Sequence, residues 1–380
     1  MTNVRCGLDR LSEYAGLLAG KRLGLLTTPA AVTGELTDSI QAIGERFTLS
    51  ALFSPEHGVR GDRQAGEAVD SFTDPLTGLP VYTTYGPGRD GMTAEQAEHL
   101  DVLVFDVQDV GCRFYTYLAA LVHAMEACAA AGKPLVVLDR PNPAGCVRVE
   151  GNVPGPGHRS IVSPWEMPQR YGMTIGEFAR MVNGEEKLSC DLTVIPVEGY
   201  RRDMSWEETG LCYINASPNL PNLSAVRLYS GTCLLEGTCL SEGRGTTHPF
   251  ETAGAPWIDP YALAERMERY HLPGVRFRPT YFTPTFSKHQ GSICGGVQIH
   301  LTGSEIRAAE TGLRLLWEMK AMSPEKNFWI KSDEGFYFID RLMGGDLLRR
   351  PDADPDALLA EWEQASALFR QRSLPYLIYT

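Results

Sequence analysis

Four carboxylates in this chain follow apolar runs that read as strands. Glu56 sits in Phe53-Ser-Pro-Glu-His-Gly58, Asp106 and Asp109 in Val104-Phe-Asp-Val-Gln-Asp-Val-Gly111, and Asp139 in Val137-Leu-Asp-Arg-Pro-Asn-Pro143. Open α/β sheets bind ligands in the crevice beyond the carboxyl ends of their strands, so acids at three such ends are expected to converge on one cleft. A pair of carboxylates in a cleft is the equipment for acid/base cleavage of a glycosidic bond.

Glu56 lies between Pro55 and His57 with Gly58 behind, a rigid turn that would hold a carboxylate beside an imidazole. That setting suits a general acid tuned by its neighbours. The alternative is an acid capping its own turn. For His57 as a metal ligand, no second histidine at helical or turn spacing accompanies it. Asp106 and Asp109 precede Arg113-Phe-Tyr-Thr-Tyr117. Rings such as Tyr115 stack on sugar faces while carboxylates accept hydroxyl hydrogen bonds. Alternatively, Asp109 caps the helix that follows and the aromatics pack into the core. Asp139, Arg140 and Asn142 share a stretch that two prolines hold extended, which reads either as a ligand-contact surface or as a structural Asp139–Arg140 network. Further on, Glu236-Gly-Thr and Ser241-Glu-Gly-Arg-Gly-Thr-Thr-His-Pro-Phe-Glu251 are placed either to cover the cleft, with Glu236, Arg244 and Glu251 as contacts, or to form a flexible surface loop.

The elements that must position these groups follow from periodicity. Apolar runs predict strands at 22–27, 49–53, 79–85, 101–105, 134–138 and 192–197, and helical spacing predicts helices at 8–18, 36–47, 93–100, 113–131 and 174–188. The alternation indicates a doubly wound, mostly parallel α/β sheet, with the Pro196 strand at an edge. The aperiodic stretch 58–80 is expected to wall the cleft. Turn chemistry in Asn215-Ala-Ser-Pro-Asn-Leu-Pro-Asn222 marks a boundary, giving a catalytic domain at 1–222 and a smaller α+β domain at 223–380. In the second part, helices are expected at 225–235, 260–270, 305–322, 335–343 and 355–372, strands near 275–278 and 296–301, and a loop at 236–254.

Composition narrows the function. The 380 residues carry Lys+Arg 35 against Asp+Glu 47, a net charge of -12 that opposes phosphate-backbone binding, so no nucleic-acid partner is expected. Gly86-Pro-Gly-Arg-Asp-Gly91 fits a dinucleotide fingerprint with Asp106 at the next strand end. Pro87, however, removes an N–H from the phosphate turn, and the capping signal at Thr93 and Gln96 starts the next helix too late, so a plain turn is the better reading. The cysteines form no zinc-site spacing and read as reduced thiols. No metal or nucleotide cofactor is expected. No apolar run reaches membrane-spanning length and the first residues are charged, so a cytoplasmic, non-membrane protein is expected.

As a set these motifs resemble the exo-β-N-acetylmuramidases of bacterial cell-wall turnover. The resemblance spans nearly the whole chain and rests on Phe53-Ser-Pro-Glu-His-Gly-Val-Arg-Gly61, Thr77-Gly-Leu-Pro-Val-Tyr82, Phe105-Asp-Val-Gln-Asp-Val-Gly-Cys-Arg-Phe-Tyr-Thr-Tyr117 and Leu138-Asp-Arg-Pro-Asn-Pro143. It continues through Ser217-Pro-Asn-Leu-Pro221, Leu235-Glu-Gly-Thr, Gly243-Arg-Gly-Thr, Pro249-Phe-Glu251 and Gly254-Ala-Pro-Trp257. It implies a Rossmann-like catalytic domain without a nucleotide, a smaller auxiliary domain, and release of N-acetylmuramic acid from the non-reducing ends of peptidoglycan fragments. Two departures stand out. Thr27-Thr-Pro-Ala-Ala-Val32 replaces an Asn-Gln-Thr-Gly type of turn, and the signal peptide of secreted relatives is missing, which points to imported muropeptide or disaccharide as substrate.

On this reading Glu56 is the general acid and Asp109 its first-choice partner, with Glu236 next, while Asp106 and Asp139 are weaker candidates. Arg60, Arg140 or Arg244 would pair with the lactyl carboxylate, and His57, Tyr115, Asn142 and Glu251 would make further contacts. The competing functions are a hydrolase of another amino sugar and a non-catalytic muropeptide-binding protein.

Overall fold

Seven strands build the main sheet: β1 (Leu23–Thr27), β2 (Leu49–Ser54), β3 (Phe72–Thr73), β4 (Pro80–Thr83), β5 (Val102–Asp106), β6 (Leu135–Leu138) and β7 (Leu192–Ile195). The structure is a computed structural model and describes residues 4–61, 70–86, 91–324, 327–332 and 335–380. The strand order is β3-β4-β2-β1-β5-β6-β7, parallel except for the two-residue β3, which runs antiparallel to β4. Every residue of β1, β5 and β6 is buried, as expected of strands covered by helices on both faces. β7 forms one edge and stops at Ile195, just before Pro196 would break the ladder.

The helix after β5 is shorter than its periodicity predicts. It spans Tyr117–Ala131 rather than starting at 113, and ends on Gly132, whose φ of 64° provides the left-handed cap. Residues 109–116 form turns rather than helix because Arg113 is anchored elsewhere: its backbone N–H donates to the Gln169 carbonyl at 2.8 Å, and the Tyr115 N–H closes a turn onto the Cys112 carbonyl at 3.0 Å. The predicted first helix is likewise replaced by two short turns, Gly7–Arg10 and Ala15–Leu18. The capping box at Thr93 and Gln96 forms. Of the fingerprint-like glycine string, residues 87–90 lie outside the described residues, as do residues 62–69 of the stretch expected to wall the cleft.

Beyond Asn222, which caps helix Leu223–Thr232, the chain adds a three-stranded antiparallel sheet. It consists of β8 (Thr252–Ala255), β9 (Val275–Phe282) and β10 (Cys294–Leu301), in the order β8-β10-β9. β8 falls in the stretch read as a loop, because two alanines, a glycine and a threonine carry no strand periodicity. The helix Leu223–Thr232 continues into a 3-10 turn, Cys233–Gly237, which presents Glu236. It crosses helix Ala308–Ala321 at Gly231 and Gly312, where any side chain on Gly231 would collide with the Ala308 carbonyl. The two parts share one core: Phe105 and Tyr117 belong to the same apolar cluster as Leu228, Leu313 and Met343. The C-terminus also returns to the first sheet, with the Tyr379 hydroxyl on Asp139 Oδ2 at 2.5 Å. Among the described residues, no helix is long and apolar enough to cross a membrane.

Candidate active site

A cavity of about 460 Å³ lies past the carboxyl ends of β2, β4 and β5, within the size range of small-molecule sites. The first half of the chain lines it with Glu56, His57, Tyr85, Tyr115 and Thr116. Tyr229, Glu236, Arg244 and Phe250 contribute from the second half.

Glu56 reaches this cavity on a strained turn. His57 holds a φ of 73° and Gly58 one of 81°, so a non-glycine residue is kept in the left-handed region directly behind the carboxylate. Such strain persists only where surrounding packing fixes it, and it concentrates at functional sites. Here the His57 ring is buried edge-on to Tyr117, with centroids 6.5 Å apart. Thr116 Oγ1 donates to Glu56 Oε2 at 2.7 Å. Tyr85 also hydrogen-bonds the carboxylate, and burial together with that negative charge raises the phenol pKa. The hydroxyls of Tyr115 and Tyr117 both donate to the Ala216 carbonyl, at 2.6 and 3.1 Å, which pins the linker run containing Ser217 against the cavity.

Glu236 faces the same space in a charged setting. Arg244 Nη2 donates to Glu236 Oε1, and Arg244 Nε lies 3.2 Å from Glu242 Oε1. Burial opposes the Arg244 charge, but the two carboxylates outweigh it and raise its pKa. Lys288 Nζ sits 2.6 Å from Glu242 Oε2 and donates to the carbonyls of Leu235 and Thr238 at 2.8 and 3.0 Å, gripping the turn on both sides of Glu236. The Cys233 thiol donates to Glu236 Oε2 at 3.0 Å.

The other strand-end acids are turned inward. Asp106 forms a two-pronged pair with Arg140, at 2.6 and 2.9 Å, and Arg140 also donates to the Val32 carbonyl of the divergent 27–32 turn. Asp139 accepts from Thr174 Oγ1, the Gly176 N–H and Tyr379, and burial pushes its pKa up to about 6. Asn142 bonds the Met173 carbonyl and the Ala144 N–H. Asp109 neither caps the helix nor lines the cavity. Its Oδ2 accepts from the Gly111 N–H and the Tyr171 hydroxyl, and burial raises its pKa to about 6. Arg60 pairs with Asp74 at 2.9 Å, and Glu251 accepts from Asn222 at 2.8 Å. None of these seven residues is among those lining the cavity, where Glu56 is joined by Glu236 and not by Asp109. The aromatic residues Tyr85, Tyr229, Phe250, Phe286 and Phe338 also line the cavity without having been singled out as contacts.

An α/β sheet whose carboxyl-end cavity gathers two glutamates and a half-buried guanidinium among aromatic rings carries the groups that a glycoside hydrolase needs. The chain belongs to the exo-beta-N-acetylmuramidase NamZ family, whose N-terminal region matches residues 23–224 and whose C-terminal region matches 227–379. It is 42% identical over 383 residues to the peptidoglycan beta-N-acetylmuramidase NamZ of Bacillus subtilis (strain 168), covering 99% of this chain and 91% of that protein. Two crystal structures of DUF1343 family proteins from Bacteroides fragilis share the fold. One has a TM-score of 0.91 at 36% identity with both chains fully covered, and the other 0.77 at 30% identity with 99% of each covered.

Proposed function

We propose that this chain hydrolyses the β-1,4 bond between a terminal N-acetylmuramic acid and N-acetylglucosamine in peptidoglycan fragments. The observation that supports it most is that Glu56 and Glu236, from the two halves of the chain, line one cavity in a member of this family. Glu56 accepts from the hydroxyls of Thr116 and Tyr85 and is assigned as the general acid that protonates the leaving oxygen. Glu236 is paired with a guanidinium and is assigned as the base or nucleophile.

Among the described residues that line the cavity the arginine is Arg244, whereas Arg60 and Arg140 lie outside that lining, paired with Asp74 and Asp106. We assign it to the lactyl carboxylate of the substrate, with Tyr115 and His57 shaping the sugar pocket. The substrate would be the MurNAc-GlcNAc disaccharide or a muropeptide. A reducing, cytoplasmic setting suits the nine cysteines, all free thiols, of which Cys212 alone is exposed.

The test is to incubate the protein with MurNAc-β-1,4-GlcNAc and follow free N-acetylmuramic acid by mass spectrometry. Release of the free sugar is the expected result. A disaccharide that binds yet stays intact would overturn hydrolysis in favour of a muropeptide-binding protein.

A further inference from the structure

A second hollow of about 730 Å³ opens beside the active-site cavity, and Ile161 lines both. Its floor is one face of helix Tyr117–Ala131. Ala119, Val122, His123 and Glu126 follow at helical spacing from Thr116, the residue that holds Glu56. From Thr116 to Glu126 the helix advances about 15 Å, so the groove leads away from the catalytic carboxylate over more than the length of one sugar ring.

One wall presents Phe336 and Tyr337. Of the groove's charged residues, Asp340 is held by Arg349 at 2.7 Å, and Arg159 is shared by Glu166 at 2.8 Å and Glu186 at 2.7 Å. Arg341 is laid over the Phe336 ring at 3.6 Å. Aromatic surface beside exposed donors and acceptors such as Arg341 and Glu126 fits the apolar ring faces and hydroxyl groups of a sugar chain.

We infer that this groove binds the glycan that continues beyond the cleaved bond, the sugars on the leaving-group side. The inference rests on the glycosidase reading above. It implies that the enzyme grips chains longer than a disaccharide through residues that take no part in bond cleavage.

The experiment compares kcat/KM for MurNAc-GlcNAc and for the tetrasaccharide (MurNAc-GlcNAc)₂ in wild type, Glu126→Ala, Arg341→Ala and the double variant. Glu126 and Arg341 are exposed, so these variants should fold. The double variant is expected to lower the tetrasaccharide-to-disaccharide ratio at least about tenfold, the loss of two hydrogen-bonding groups. An unchanged ratio would overturn the inference, as would an effect confined to a disaccharide bearing a stem peptide. Calorimetric binding of the tetrasaccharide to Glu56→Gln protein, with and without the two groove substitutions, reads the groove independently of turnover. Weakened binding supports the inference and equal binding refutes it, whereas failure of wild type to cleave the disaccharide counts against the glycosidase reading instead.

Discussion

Thr116 Oγ1 donates a hydrogen bond to Glu56 Oε2 at 2.7 Å, tying the carboxylate that follows β2 to the residue at the head of the helix that follows β5. The two lie 60 positions apart, and their contact aims the acid into the cavity. The Thr116 side chain makes no capping bond to its own helix, so Thr116→Val removes the donor at little cost to the fold. With one of the hydrogen bonds that orient the carboxylate gone, kcat on a muramoside should fall about tenfold while KM moves little. Unchanged kcat would show that Thr116 does not orient the acid.

Arg244 bridges Glu236 and Glu242 with different nitrogens, a geometry that a lysine ammonium cannot reproduce. In Arg244→Lys the preference for a muramoside over the matching β-N-acetylglucosaminide should drop about tenfold or more, since the two differ by the lactyl carboxylate. A preference equal to wild type would remove Arg244 from that role.

Asp109 leaves a signature in stability. Its carboxyl titrates near its ordinary value in the unfolded chain and near 6 in the fold. Between those values the native state holds the extra proton, so stability falls as pH rises from about 4 to about 6. Relative to Asp109→Asn, wild type should lose about 3 kcal/mol across that window in chemical denaturation. Parallel profiles would contradict this placement of Asp109.

Arg113 is fully buried and donates to the carbonyls of Asn152, Met167 and Leu342 at 2.7, 2.6 and 2.6 Å, joining the two halves of the chain beneath the cavity. Burial lowers its pKa to about 9. Arg113→Met would strand these acceptors and should cost about 4 kcal/mol in denaturant unfolding. A cost under about 1 kcal/mol would mean that water replaces the guanidinium.

The alternation of apolar runs and helical spacing made the parallel sheet legible from the sequence, and the Ser-Pro-Glu-His-Gly turn and the Glu236 and Arg244 loop were legible as local chemistry. What local reading missed was direction. Asp139 is consumed by Tyr379 and Thr174, Asp106 by Arg140, and Asp109 by Tyr171, all distant partners that pattern alone does not reveal. A strand-end position places an acid near a cleft, but burial and distant partners decide whether it faces in or out. Tyr229 and Phe250 were hidden for a related reason: their rings meet at 4.8 Å across a turn that brings helix and loop together only in the folded chain.

The most direct test of the account is the rate at which Glu56→Gln releases N-acetylmuramic acid from MurNAc-β-1,4-GlcNAc. Glutamine keeps the shape and the Thr116 contact but has no proton to give the leaving oxygen. Against an active wild type, kcat should fall on the order of 10³-fold with disaccharide binding retained. A rate within a few fold of wild type would contradict the assignment of Glu56 as the acid.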